Sequence, residues 1–253
     1  MNSNNNRRNF IKTAGIGTLA ALSLPQIVEA AFEKESVAKI VLKKGSVILF
    51  QGDSVTDWWR NHHSKLPNTV NALGAGYVLL TAGQLLYNFT DKNLQIYNKG
   101  NAGDKVYQLA NRWETDCLQY KPDVLSIHIG VNDYWHTKTF GYTGTIHTYI
   151  DDYRKLLNRT KEALPNIKLV ICEPFAVKGV RDVDNSWYPT FDLFRKAARD
   201  IAAQYHAVFV PFQSVFDKAI GSAAPAYWSL DGVHPSVAGE VLMTQAWMKT
   251  VVG

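Results

Sequence analysis

Four blocks of this chain hold residues whose types and spacing could do chemistry. Gln51-Gly52-Asp53-Ser54-Val55-Thr56-Asp57 places a serine beside glycine, directly after an apolar run, where a hydroxyl is readily exposed. Gly-Asp-Ser also makes ordinary turns, so this block is weak alone. It is not the Gly-x-Ser-x-Gly elbow, which disfavours the α/β-hydrolase fold. Asn98-Lys99-Gly100-Asn101-Ala102-Gly103-Asp104 reads as a strand-to-helix turn in which Gly103 can bring its N–H close to a substrate oxygen. Gly130-Val131-Asn132-Asp133 is either a turn or helix cap, or a side-chain amide aimed at a developing oxyanion. Asp231-Gly232-Val233-His234-Pro235 sets a carboxylate three residues before an imidazole. Asp231 can accept from the ring N–H and hold the tautomer in which His234 abstracts a proton.

Something must carry these blocks to one place. Short apolar runs precede or separate them: Val47 to Phe50, Leu94 to Tyr97, Val124 to Ile129, Leu169 to Cys172 and Val208 to Val210. Several are almost continuously apolar, as strands covered on both faces by helices should be. Helical patterns alternate with them over residues 106–120, 149–164, 188–205 and 237–251; Pro165 stops the second and Ser236 suits the N-cap of the last. This alternation predicts an α/β fold, a parallel doubly wound sheet in three α/β/α layers. Sites in such sheets form at the carboxyl ends of the strands, which selects the loops at 51–57, 98–104, 130–136 and 228–235.

The four blocks, taken in order, resemble the SGNH (GDSL-like) hydrolase family, named for its Ser, Gly, Asn and His. The likeness covers about residues 46–250 and includes Gly52-Asp53-Ser54-Val55-Thr56-Asp57, and Lys121-Pro122-Asp123-Val124 leading into Ile129-Gly130-Val131-Asn132-Asp133. Val55 stands where isoleucine or leucine is more usual, and Lys105 where threonine is common. The resemblance implies a flavodoxin-like, five-stranded parallel sheet and a carboxylic ester hydrolase without a cofactor. It also implies roles: Ser54 as nucleophile, His234 as general base, Asp231 as its orienter, and the N–H groups of Ser54 and Gly103 with the Asn132 amide as the oxyanion hole. Asp53, Asp57 and Asp133 read as carboxylates that hold their loops. The expected substrate is a short acyl ester, acetyl above all, of a carbohydrate or small alcohol. A lysophospholipase or thioesterase of the same fold, and a non-catalytic glycan-binding module, are the alternatives.

Apolar residues make up 46% and charged residues 19% of the 253, enough to bury a core and too few charges for disorder. Three cations and one anion of the +5 net charge lie in residues 1–30, leaving +3 for the rest. That dispersed excess argues against a nucleic-acid partner. Arg7-Arg8-Asn9-Phe10-Ile11-Lys12 resembles a twin-arginine export signal, followed by an apolar stretch from Ala14 to Leu24 and small residues around Val28-Glu29-Ala30. The stretch is shorter than the ~20 residues of a membrane span. The expected organisation is therefore an export signal over 1–30, a leader over 31–44 and one domain over 45–253, in a bacterial periplasmic or extracellular protein. The oligomeric state is left open. Cys117 and Cys172 have no metal-like spacing and read as plain buried residues, with a disulfide allowed but not implied. His62-His63 lacks a third ligand, so no metal is expected. Gly74-Ala75-Gly76 lacks the rest of a dinucleotide fingerprint. The aromatics Trp58, Trp59, Tyr134 and Trp135 flank the blocks and are candidates for a substrate pocket.

Overall fold

A computed structural model of the chain describes residues 23–31 and 39–252. Its centre is a five-stranded sheet, β1 (Val47–Gly52), β2 (Gln95–Asn98), β3 (Val124–His128), β4 (Lys168–Cys172) and β5 (Val208–Val210). All neighbours are parallel, in the order β2-β1-β3-β4-β5. Each strand falls within two residues of the run that marked it in the sequence.

Side chains alternate across the sheet. Ile48, Phe50, Ile96, Val124, Val170, Val208 and Val210 face one layer, built from the helices Tyr77–Asn88, Phe212–Ala219 and Val237–Val251. Leu49, Leu125, Ile127, Leu169 and Ile171 face the other, built from Val106–Asn111, Ile146–Ala163 and Thr190–Gln204. This is the three-layer α/β/α architecture. Burial of both faces explains why the strands read as nearly unbroken apolar runs.

The order reverses between β1 and β3, because the chain goes from β1 outward to β2 and returns to the far side of β1. A crevice opens at such a switch point, at the carboxyl ends of the strands. β1 ends at Gly52 and β3 at His128, and the two are paired in register. A Cβ on Gly52 would stand 2.3 Å from the His128 carbonyl oxygen, so only glycine lets the chain turn there.

The 106–120 stretch is not one helix. It divides into Val106–Asn111, Trp113–Asp116 and a 3₁₀ turn Leu118–Tyr120. The break falls at Arg112 (φ −107°, ψ 9°), whose side chain is drawn inward to the ends of β1 and β2. The last helix starts as expected, with the Ser236 hydroxyl accepting from Gly239 N–H at 3.2 Å. Cys117 and Cys172 are buried and free.

Most of the segment expected to be an export signal, residues 1–22, lies outside the described residues, as does half of the leader, residues 32–38. Its last part forms a helix, Leu24–Ala31, with Ile27 and Val28 buried against the core. No helix among the described residues is long and apolar enough to cross a membrane.

Candidate active site

β1 delivers Ser54 to the crevice on a single helical turn, Ser54–Asp57. Asp53 caps that turn by accepting from Val55 N–H at 3.1 Å. The turn is held from three sides. Asn98, at the end of β2, donates to Thr56 O (2.6 Å) and Leu73 O (2.7 Å) and accepts from Gly100 N–H (2.9 Å). Asp57 accepts from Ala102 N–H at 3.0 Å. Arg112 donates to Gly52 O (3.3 Å), Gln51 Oε1 (3.0 Å), Lys99 O (2.7 Å) and Asp104 Oδ2 (2.7 Å). One guanidinium thus ties together the ends of β1 and β2. Sequence reading missed Arg112 because these partners come from two blocks distant from it in the chain.

His234 arrives from the loop before the last helix. Its Nε2 lies 2.9 Å from Ser54 Oγ, and its Nδ1 lies 2.7 Å from Asp231 Oδ2. The carboxylate fixes the tautomer: with Nδ1–H given to Asp231, Nε2 is free to accept the serine proton. The other Asp231 oxygen accepts from the backbone N–H of Val233 (2.8 Å) and His234 (2.7 Å), so residues 231–234 form a closed hydrogen-bonded turn. Ser229 Oγ donates to His234 O at 2.8 Å and steadies the loop from below.

The electrostatics match this geometry. Burial would raise the Asp231 pKa, but the hydrogen bonds from the His234 ring and backbone outweigh it and bring it down to about 2. Burial would likewise lower the His234 pKa, but its hydrogen bond to Asp231 and that carboxylate's charge leave it above the usual histidine value. Arg181 stands 3.7 Å from the same Asp231 oxygen.

Gly103 and Asn132 border the crevice after β2 and β3. Gly103 has φ +81°, a conformation open to glycine, and no atom comes within 3.9 Å of where a Cβ would be. The Asn132 amide donates to Asp104 O at 3.2 Å, which fixes its orientation and leaves its second N–H without a partner among the described residues. Asn132 and Asp133 lie on a helix, Val131–Thr139, where the sequence suggested a loop. Asp133 Oδ1 accepts from Val106 N–H at 3.2 Å. Asp53 and Asp133 are both fully buried, and burial pushes each up to about 7.

The four candidate pocket aromatics separate. The Trp58 ring lies 5.8 Å from the His234 ring and the Trp135 ring 6.3 Å from it, so both wall the crevice. Tyr134 does not: it is buried in the core against Trp187, Phe191 and Phe194, and the pocket expectation for it is corrected. On the helix, Tyr134 and Trp135 point about 100° apart, which sends one inward and the other to the crevice. Trp59 is 90% exposed, with no ring contact among the described residues. His62, expected in a solvated loop, pairs with Asp57 through Nε2 at 3.1 Å. The 74–76 stretch runs beneath Trp58, with Ala75 N–H donating to Trp58 O at 2.9 Å.

Hydrogen bonds thus link Ser54, His234 and Asp231 at the switch point of a doubly wound sheet. Residues 50–242 match the model of the GDSL-like lipase/acylhydrolase family, and the chain belongs to that family. It is a carboxylic ester hydrolase. It is 32% identical over 209 residues to an acetylxylan esterase of Geobacillus stearothermophilus, covering 82% of this chain and 94% of that one. Among solved structures, one from Parabacteroides merdae, described as a GDSL-like lipase, is 54% identical with a TM-score of 0.83, covering 84% of this chain and 98% of that one. The acetylxylan esterase Axe2 of Geobacillus stearothermophilus is 30% identical with a TM-score of 0.74, covering 83% and 95%. Structures of Axe2 with a serine, an aspartate or a histidine changed to alanine, each called a catalytic mutant, match equally well.

Proposed function

We propose that this protein is an exported serine esterase that removes acetyl groups from carbohydrate esters. The observation that carries the mechanism is the unbroken relay from Ser54 Oγ to His234 Nε2 (2.9 Å) and from His234 Nδ1 to Asp231 (2.7 Å). Ser54 attacks the ester carbonyl carbon while His234 takes its proton. The carbonyl oxygen, now negative, is held by the N–H groups of Ser54 and Gly103 and by the Asn132 amide. His234, stabilised as imidazolium by Asp231, returns the proton to the departing alcohol. Water then attacks the acyl-serine by the same route, releasing acetate and restoring Ser54.

Two observations favour a short acyl group on a sugar. Trp58 and Trp135 flank His234 with bulky rings, which limits the length of what reaches Ser54 and offers flat apolar faces to a sugar ring. The acetylxylan esterase relative acts on that ester class by its name, over nearly its whole length. Export rests on Arg7-Arg8 and the apolar stretch after it.

The test compares p-nitrophenyl acetate, butyrate and octanoate, with wild type and Ser54→Ala, followed by acetate release from acetylated xylooligosaccharides. Acetate preference that disappears in the variant is the expected result. Faster turnover of octanoate overturns the short-acyl reading. Equal activity in the variant overturns Ser54 as nucleophile. Localisation is read by fractionating cells that express the chain with Arg7-Arg8 intact or changed to Lys-Lys; export unaffected by the change refutes the signal.

A further inference from the structure

Beside the Gly103 loop stands a second histidine that the relay does not use. His136 is half-buried on the helix Val131–Thr139, one residue beyond Trp135, whose ring lies 6.4 Å from it and 6.3 Å from His234. Its Cε1 is the atom nearest to the open side of Gly103, at 3.9 Å from where a Cβ would be. His136 therefore borders the crevice on the side of the proposed oxyanion donors, with Trp135 between the two imidazoles.

Its chemistry is fixed by Lys105. Lys105 is a buried residue, at 7% exposure, and its Nζ lies 3.0 Å from His136 Nδ1. An ammonium has three donors and no acceptor, so Nδ1 must accept. The ring is then neutral and its proton is on Nε2. Lys105 is confined to this geometry by two stacked tyrosines, Tyr107 and Tyr142, at 5.7 and 5.1 Å from its nitrogen. Burial first, and the Lys105 charge second, lower the His136 pKa below the usual value, consistent with a neutral ring. His136 Nε2 has no acceptor among the described residues. The site thus presents one N–H donor, with its direction set by a lysine placed behind it.

An acetyl group offers one polar atom, the carbonyl oxygen, which the Ser54, Gly103 and Asn132 donors already serve. A further fixed donor at the rim suits the alcohol portion of the ester. Exposed Phe140, packed on the His136 ring at 4.7 Å, and Tyr107 give this rim apolar faces of the kind that pack on sugar C–H groups. We propose that His136 is a carbohydrate-binding residue: its Nε2–H donates to an oxygen of the sugar that bears the ester, and Lys105 is the positioning residue that keeps it a donor. This rests on the sugar-ester reading above.

The experiment measures kcat and KM on acetylated xylobiose and on p-nitrophenyl acetate for wild type, His136→Ala, His136→Gln and Lys105→Met, with thermal melts to check folding. His136→Ala loses about tenfold more kcat/KM on the sugar ester than on the aryl ester, mainly through KM, as expected for one lost hydrogen bond to substrate. His136→Gln, which restores an N–H donor, recovers most of that difference. Lys105→Met, which frees the ring to present either tautomer, falls between them. Parallel losses on the two substrates, or a glutamine variant no better than alanine, overturn the proposal and leave His136 a packing residue. No wild-type turnover of the sugar ester, with p-nitrophenyl acetate still cleaved, overturns the carbohydrate reading itself and the proposal with it.

Discussion

Asp231 and the pair Asp53 and Asp133 are buried aspartates around one crevice, and the fold sets their charge in opposite ways. Asp231 accepts three hydrogen bonds, from His234 Nδ1, His234 N–H and Val233 N–H, and its pKa falls to about 2. Asp53 and Asp133 each accept one backbone N–H, and each keeps an oxygen, Oδ2, without a partner among the described residues. Burial carries both up to about 7. Complete burial with few donors raises the pair, whereas the donors and imidazole of His234 outweigh the lesser burial of Asp231. The difference follows the proposed tasks. The acid behind His234 must be an anion to stabilise an imidazolium, whereas the acids under Ser54 and Asn132 only hold turns. Groups whose pKa values are pushed apart in one site mark a division of labour.

The largest test of that division leaves both acids in place. Ser54→Ala should lower kcat by a factor on the order of 10⁶, as in other Ser-His-Asp hydrolases, with the fold intact by circular dichroism. Residual activity well above that level means that another group attacks the ester. Asp231→Asn comes next, at about 10⁴ in kcat, because the amide no longer fixes the tautomer. It should also move the acid limb of kcat/KM. In the wild type His234 has a raised pKa, so activity is lost as pH falls through a value above the ordinary one. Removing the carboxylate lowers that pKa and shifts the limb toward acid. A limb that stays in place would show that a group other than His234 titrates. Asn132→Ala should cost about 10²–10³ in kcat with little change in KM, if its amide meets the oxyanion only in the transition state. A loss confined to KM would make Asn132 a ground-state binder.

The sequence carried the strands and the Asp231–His234 pair because both are written locally, whereas Ser54, 180 residues before His234, was joined to them by the family resemblance. Double-sided burial leaves near-continuous apolar runs, and Asp231 and His234 share one turn. What it hid depends on distant partners. Arg112 breaks a helical pattern to reach Gln51, Lys99 and Asp104. The helix Val131–Thr139 begins with Asn132-Asp133, residues that equally make turns, and has no clear apolar stripe. Tyr134 and Trp135 are adjacent in sequence, yet one fills the core and the other the crevice, a choice only the helix phase decides. Lys105 was visible as a departure from the family pattern, but its partner His136 comes from the next strand–helix unit.

The smallest effect reads the two kinds of acid directly, as opposite slopes of stability against pH. The Asp133 pKa is raised from 3.8 to about 7. Between those values the folded state keeps a proton that the unfolded chain has released. Its contribution is fully present below pH 3.8 and declines as pH rises toward about 7. Asp231 runs the other way, with stability present above pH 3.8 and lost as pH falls through about 2. Asp133→Asn replaces a neutral acid by a neutral amide of the same shape and removes the first slope, up to about 1.4 kcal/mol per pH unit. Urea unfolding across this range should therefore give a flatter profile for Asp133→Asn than for wild type, with the two curves together near pH 3.8 and separating toward pH 7, where the variant is the more stable. Parallel curves would mean that Asp133 is ionised in the folded state, and that burial with a single donor does not separate it from Asp231.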